Sequence, residues 1–272
     1  MNKMDISNMN DTIRPLLFDV MADENYNVPE ELLPIVKESG ALIHDHSKKI
    51  IGMIIRYKEL MMMYNCALKE IQTRFEILNA EISIQNRRNP IKFITPRLKS
   101  SASIIEKMER QGIPMSIENI ENDIDDVAGI RVICSYIDDI YALSKALLSQ
   151  RDIEVVSTKD YIINPKANGY RSLHMIIKVP IHFENGIKDV KVEVQIRTIA
   201  MDFWATLEHE LIYKNHLEDE DDIRNELNEC AAIMSGADRK MQDLRKRAEE
   251  LCVESTEENE LIEQMKKIDY PL

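Results

Sequence analysis

Four short stretches of the chain hold residue types from which a reaction on a bound anion could be built. In Lys191-Val192-Glu193-Val194-Gln195-Ile196-Arg197 the side chains alternate. Val190, Val192, Val194 and Ile196 go to one face of a strand, and Lys191, Glu193, Gln195 and Arg197 to the other. An acid, an amide and two bases in one row suit a metal-bound anion, although such a row also reads as the solvated face of an antiparallel sheet. Asp125 and Asp126 precede Val127-Ala128-Gly129-Ile130-Arg131-Val132 and put carboxylates at a strand mouth. Mg²⁺ takes one or two carboxylates together with phosphate oxygens and waters. Asp126 and Glu193 therefore make a metal site if their strands are neighbours; a turn or cap role for the aspartate is the alternative.

The turn-rich loop Asn164-Pro165-Lys166-Ala167-Asn168-Gly169 leads into Tyr170-Arg171-Ser172-Leu173-His174. Tyr170, Ser172 and His174 are expected on one face of the strand that follows. An aromatic beside Lys, Asn and His suits a nucleobase and its phosphates, whereas the loop alone also fits an ordinary hairpin with a half-buried tyrosine. Arg97, Lys99, Lys107 and Arg110 surround an expected helix start, where the helix terminus and clustered bases both favour phosphate. A solvated basic face is the other reading. His44-Asp45-His46 cannot converge on an ion as i,i+4 ligands do and is expected in a surface loop, and Glu208-His209-Glu210 on a helix surface with room for one member to face the site. Neither G-x-x-x-x-G-K-S/T nor G-x-G-x-x-G occurs, which excludes P-loop and Rossmann sites.

These residues need elements to hold them. A helix is expected from Ser47 to Asn86, where Ile51, Ile54, Ile55, Leu60, Leu68, Ile71, Phe75, Leu78 and Ile82 recur at three- and four-residue steps, with Met61-Met62-Met63 as core packing. A second helix is expected from Lys99 to Gln111, stopped by Gly112 and Pro114. Strands are expected at Val127–Ser135, Val155–Ile163, Tyr170–Val179 and Ile187–Arg197, with a helix at Asp138–Gln150 between the first two. Beyond Ile199, Leu211, Ile223, Leu227, Met234, Met241 and Leu244 are spaced for one buried stripe, and Glu254 to Lys267 reads as an acidic surface helix. The first 45 or so residues are weakly patterned. The fold class is α/β (α+β): a mixed sheet flanked by helices, with long N- and C-terminal helices.

Charge limits the partners. The 272 residues carry 48 acids against 35 bases, a net of −13, so the chain should repel nucleic acid and anionic membrane. Residues 85–114 are locally basic and 215–272 strongly acidic, which favours a confined anion site over a broad nucleic-acid surface. Cys66, Cys134, Cys230 and Cys252 are scattered and suit reduced thiols. No signal-like leader or spanning apolar run is visible, so a soluble cytoplasmic protein is expected.

Together the strings T-P-R-L-K-S-S-A-S-I-I-E-K-M, D-D-V-A-G-I-R-V, N-P-K-A-N-G-Y-R-S-L-H, V-E-V-Q-I-R-T and F-W-A-T-L-E-H resemble the synthetase domain of the RelA/SpoT-like GTP pyrophosphokinases. They span Thr95 to His209 in the family's order, and the chain length is similar to the small, single-domain RelQ/RelP-type branch. The resemblance implies a nucleotidyltransferase-like fold and transfer of pyrophosphate from ATP to the 3′-hydroxyl of GTP or GDP, giving AMP and (p)ppGpp. It implies Mg²⁺ at Asp126 and Glu193, with Glu193 also activating the ribose hydroxyl. Arg97 and Arg131 would sandwich adenine, and Lys99, Ser103, Lys107 and Arg110 would meet the ATP phosphates. Tyr170 would stack guanine, and Lys159, Lys166, Asn168, His174 and Gln195 would make the other acceptor contacts.

Phe93 and Thr95 match a regulatory cleft for alarmone in the branch it resembles, where Asp202 replaces the branch's Asn; weak or no stimulation by (p)ppGpp is the expected result. Pro96 replaces the branch's usual Gly and stiffens what reads as a loop beside Arg97. The division expected is an extension (1–46), the synthetase domain with its leading helix (47–215) and a C-terminal helical region (216–272) that supports a homotetramer. Two rivals remain open: a nucleotide- or RNA-binding module without turnover, and a toxin-like relative acting on tRNA 3′ ends. Retention of both carboxylates opposes the first and the net negative charge the second.

Overall fold

The computed structural model describes the backbone of residues 33–86, 88–213 and 221–253, and the side chains of most of these. The chain divides into two units, Met1–Arg56 and Tyr57–Leu272. The described part of the first is helical. The second carries the sheet. In chain order the elements are α1 (Leu33–Asn86), β1 (Ile91–Leu98), α2 (Ser101–Gln111), α3 (Ile117–Asp123), β2 (Ala128–Cys134), α4 (Ile137–Leu148), β3 (Glu154–Asp160), β4 (Leu173–Phe183), β5 (Gly186–Thr198) and α5 (Ile199–Glu208). A π-helical turn (His209–Tyr213) and α6 (Asp221–Val253) follow.

The strands form one five-stranded sheet in the order β1-β2-β5-β4-β3. Among the described residues only β2 and β5 run parallel; the other three pairings are antiparallel. One face is apolar and closed. Ile130, Val132, Met175, Ile177, Val192, Val194 and Ile196 are all essentially inaccessible and pack with Ile140, Leu143 and Leu147 of α4 and with Tyr64, Ile71 and Phe75 of α1. The α1 stripe of Leu60, Tyr64, Ala67, Leu68, Ile71, Phe75 and Leu78 has the spacing of a helix laid along a core. Of the methionine run, Met63 is buried, Met61 packs against the core and Met62 is exposed. The opposite face of the sheet carries the polar alternates of β5.

The expected fold class holds, with local corrections. Residues 91–98, where no strand was expected and where the stretch beside Arg97 reads as a loop, form strand β1, an edge strand whose exposed pattern hides it from any periodicity argument. Pro96 is tolerated because one side of an edge strand needs no ladder donor. His44, Asp45 and His46 lie within α1, not in a loop. Strand β4 begins only at Leu173, so Tyr170 and Ser172 do not share a strand face. Ser172 is buried, with its hydroxyl donating to the Ile196 carbonyl at 3.2 Å.

The stripe expected on the C-terminal helix is also displaced. Leu227, Ala231, Met234, Ser235 and Asp238 of α6 face the domain, while Leu211, Met241 and Leu244 are exposed. Residues 1–32 and Glu254 to Lys267 lie outside the described residues. Where α6 crosses the Asn164–Gly169 loop, Gly169 adopts φ +85°, and a Cβ there would stand 2.6 Å from the Cβ of Ala231. Glycine is required twice over, for the left-handed backbone and for the close approach.

Candidate active site

The strand register brings the polar residues into two rows. Thr95 pairs with Arg131, Arg131 with Gln195, Gln195 with His174 and His174 with Lys159, a row crossing all five strands. In the next row Arg97 pairs with Gly129 and Gly129 with Glu193. Paired residues share a face, so these side chains project together from the polar side of the sheet. Gly129 leaves the floor open between its neighbours: a Cβ there would stand 3.9 Å from Glu193 Oε2. Above the rows lies a cavity of about 330 Å³ whose walls include Arg97, Lys99, Asp126, Arg131, Glu193 and Gln195, with Thr95 at one side.

At one end of the cavity Asp126 is held by two lysines. Lys99 Nζ donates to Oδ2 at 2.5 Å and Lys107 Nζ to Oδ1 at 2.7 Å. Burial pulls the Asp126 carboxyl upward, but the Lys107 and Lys99 ammoniums outweigh it and hold it below the usual carboxylate range. Lys107 is positioned by α2, whose N-cap Ser100 accepts from the Ser103 backbone N–H at 3.2 Å. Ser103, Lys107 and Arg110 recur at helical spacing on one side of α2, with Ile104 and Met108 anchoring the other in the core. Arg131 lies at the adjoining wall. Burial and the nearby Arg197 charge depress its guanidinium, and Asp202 Oδ1, 3.4 Å from Arg131 Nη1, opposes that shift.

At the other end is a hydrogen-bonded set around an aromatic. Tyr170 OH and His174 Nε2 are 2.8 Å apart, and His174 Nδ1 lies 3.3 Å from Glu193 Oε1. Gln195 Nε2 donates to Glu193 Oε2 at 2.9 Å. Burial pushes the Glu193 carboxyl up, but His174 and Gln195 bring it below the usual range, against the opposing charge of Asp126. Lys166 Nζ stands over the rings of Tyr161 and Tyr170 at 4.9 and 4.8 Å. Asn168 Oδ1 accepts from the Tyr170 backbone N–H, and its Nδ2 donates to Glu208 Oε1 at 3.1 Å. Lys159 is exposed on β3 beside His174.

The structure therefore brings Arg97, Lys99, Asp126, Arg131, Glu193 and Gln195 to one cavity and Lys166, Tyr170 and His174 to its Glu193 end. Arg110 is exposed in the last turn of α2. Of the residues matched to a regulatory cleft, Phe93 is exposed on β1, Thr95 lines the cavity, and Asp202 is shared by the guanidiniums of Arg131 and Arg197. Tyr161, Thr198 and Asp238 are participants that the sequence did not single out, whereas Glu208 is the site-facing member of Glu208-His209-Glu210 through its bond from Asn168. Thr198 Oγ1, which caps α5, is 2.5 Å from Asp238 Oδ2 on α6. Arg197 stood in the sequence as the last member of the polar row on β5, with no sign of its role.

Two ionised carboxylates on one cavity, both hard oxygen donors, fit Mg²⁺ shared with phosphate. Among the described residues no three His, Cys, Asp or Glu side chains converge as a self-sufficient metal centre. A site of this kind is completed by its ligand.

Comparison with known proteins agrees with this geometry. Residues 96–218 match the region found in RelA/SpoT proteins. The chain is 42% identical to the GTP pyrophosphokinase YwaC of Bacillus subtilis over 190 residues, covering 70% of this chain and 90% of that protein. It is 34% identical to the GTP pyrophosphokinase YjbM of the same organism, covering 72% and 91%. Among solved structures, small alarmone synthetase 1 of Bacillus subtilis bound to its product pppGpp superposes with a TM-score of 0.65 at 34% identity, covering 70% of this chain and 97% of that one. Small alarmone synthetase 2 gives a TM-score of 0.64 at 42% identity, covering 70% and 98%. The chain thus belongs to the RelA/SpoT family, among its small alarmone synthetases.

Proposed function

We propose that this chain transfers the β,γ-pyrophosphoryl group of ATP to the 3′-hydroxyl of GTP or GDP, giving (p)ppGpp and AMP. The observation that carries the reading is the parallel pairing of β2 with β5, which sets a lysine-clamped carboxylate and an aromatic-flanked carboxylate on one cavity. Arg97 and Arg131 would hold adenine between their guanidinium planes, and Lys99, Ser103, Lys107 and Arg110 would take the triphosphate. Tyr170 would stack guanine, with Lys159, Lys166, Asn168, His174 and Gln195 contacting the rest of the acceptor. Glu193 would take the proton of the 3′-hydroxyl as that oxygen bonds to the β-phosphorus. The bond from the β-phosphorus to the bridging oxygen breaks, and AMP leaves with that oxygen. Mg²⁺, held by Asp126 with Glu193, would neutralise the charge on the phosphate oxygens.

A homotetramer is part of this proposal, and the exposed Met241, Leu244 and Leu251 of α6 and Phe203 and Leu207 of α5 support a partner surface. Among the described residues no helix is long and apolar enough to cross a membrane. A cytoplasmic location fits these nucleotide substrates. Incubation with γ-labelled ATP, Mg²⁺ and GTP, GDP or tRNA tests the reading: label should pass to the guanine nucleotides with release of AMP, and transfer to tRNA alone would refute it.

A further inference from the structure

Arg197 does not line the cavity, yet its side chain is 6% exposed and touches both halves of the site. Its Nη2 donates to Tyr170 OH and to Gln195 Oε1, the latter at 2.8 Å, and its Nη1 donates to Asp202 Oδ1 at 3.2 Å. We propose that Arg197 is the positioning residue for Glu193, acting through two hydrogen-bonded arms that start on its guanidinium and end on the two carboxylate oxygens. The proposal rests on the reading of Glu193 as the proton acceptor.

The direction of each arm follows from the donor inventory. Arginine only donates. Because Tyr170 OH accepts from Arg197, its own proton is left for His174 Nε2, which places the imidazole hydrogen on Nδ1 and lets it donate to Glu193 Oε1. The opposite tautomer would turn a lone pair toward a carboxylate. In the second arm Arg197 claims the Gln195 carbonyl, which orients the amide so that Nε2 donates to Glu193 Oε2. Without the guanidinium both arms are free to reverse, and a reversed arm points an acceptor at Glu193. Asp202 fixes the other edge of the Arg197 guanidinium.

The test is a cycle of variants assayed for pyrophosphoryl transfer at saturating ATP, Mg²⁺ and GTP, with ATP-analogue affinity measured by calorimetry. Arg197→Met should lower kcat on the order of 10²-fold, the cost of misplacing a reacting group by ~1 Å. Analogue affinity should stay within about threefold, because Asp202 remains on Arg131. Arg197→Lys, which keeps the charge but lacks the fork, should recover part of the rate. In a Glu193→Gln background Arg197→Met should cost nothing further. The inference is overturned if Arg197→Met leaves kcat unchanged, or if its penalty persists undiminished in Glu193→Gln. If Arg197→Met does not fold, Arg197→Lys is read through the same cycle. A fully active Glu193→Gln enzyme would instead overturn the role of Glu193 itself, a separate result.

Discussion

The two ends of the cavity are wired by different physics. At the Asp126 end the contacts are ion pairs: two ammoniums on one carboxylate, and two guanidiniums on Asp202. At the Glu193 end they are directional hydrogen bonds among Tyr170, His174, Gln195 and Arg197. Ion pairs between partly exposed groups can be exchanged for a ligand's charges at small cost, since one set of anionic oxygens replaces another. A hydrogen-bonded ring cannot be exchanged without losing its geometry. The first end is thus suited to accepting a triphosphate and the second to holding one group still.

Removing either carboxylate breaks the comparison at its root. Asp126→Asn and Glu193→Gln should each lower initial rates of AMP formation by about 10² to 10⁴-fold, the usual worth of a positioned acid–base group and the least expected of a lost metal ligand. Glu193→Gln should melt close to the unaltered protein and Asp126→Asn slightly below it at neutral pH, both remaining folded. Near-normal rates in Asp126→Asn with unchanged melting would remove Asp126 from the chemistry.

Tyr170→Ala separates the two ends more finely. Loss of one base stack should weaken acceptor binding by ~1–3 kcal/mol, read as a rise in acceptor KM of about 5- to 150-fold. ATP affinity should barely move. An equal effect on both substrates would mean that Tyr170 supports the whole sheet face through Arg197.

The ion-pair end has its own signature in pH. Asp126 binds its proton less readily in the folded chain than in the unfolded one, whose aspartates titrate near ~3.9. Its contribution is therefore complete above that value and is lost as pH falls through the lower folded value. The urea midpoint of the unaltered protein should exceed that of Asp126→Asn by a constant margin from pH 7 to 5, with the margin closing below pH 4. A margin independent of pH would exclude ionisation as its source.

Asp202→Asn should have the smallest effect. A bare carboxylate about 4 Å from a bound anion would oppose it by ~1–4 kcal/mol. Here Arg131 and Arg197 already compensate that charge. Initial rates with and without pppGpp should show weak stimulation of the unaltered protein and a rise of less than about tenfold on substitution. Strong stimulation of the unaltered protein at micromolar pppGpp would assign regulation to Phe93, Thr95 and other residues.

Much of this arrangement was legible before any coordinates. The alternation of β5 placed Glu193 and Gln195 on one face because a half-buried strand has a period of two. The apolar stripe of α1 and the sheet–helix order were equally plain. Strand β1 was not, since an exposed edge strand containing Pro96 has no apolar rhythm to read. The inner face of α6 was misjudged because it is lined by Ala231, Ser235 and Asp238, small or polar residues that fit against Gly169 and Thr198 rather than a wide apolar floor. Arg197 stood in the polar row, but nothing in a row says which member is the hub. That depends on Tyr170 and Asp202 arriving from other segments.

The lone parallel pairing carries one more consequence, concerning time. After β2 is made, the chain must lay down α4, β3 and β4 before β5 can reach back to it. Until then Lys99, Lys107 and Asp126 can already meet, because α2 and the approach to β2 are near neighbours in sequence. Glu193 joins them only through the most delayed contact in the sheet, of the kind whose loop closure makes folding slow. A chain still emerging from the ribosome can thus gather Lys99, Lys107 and Asp126 first and bring Glu193 beside them last. Under the proposed reaction, a chain that has not yet added β5 would be silent.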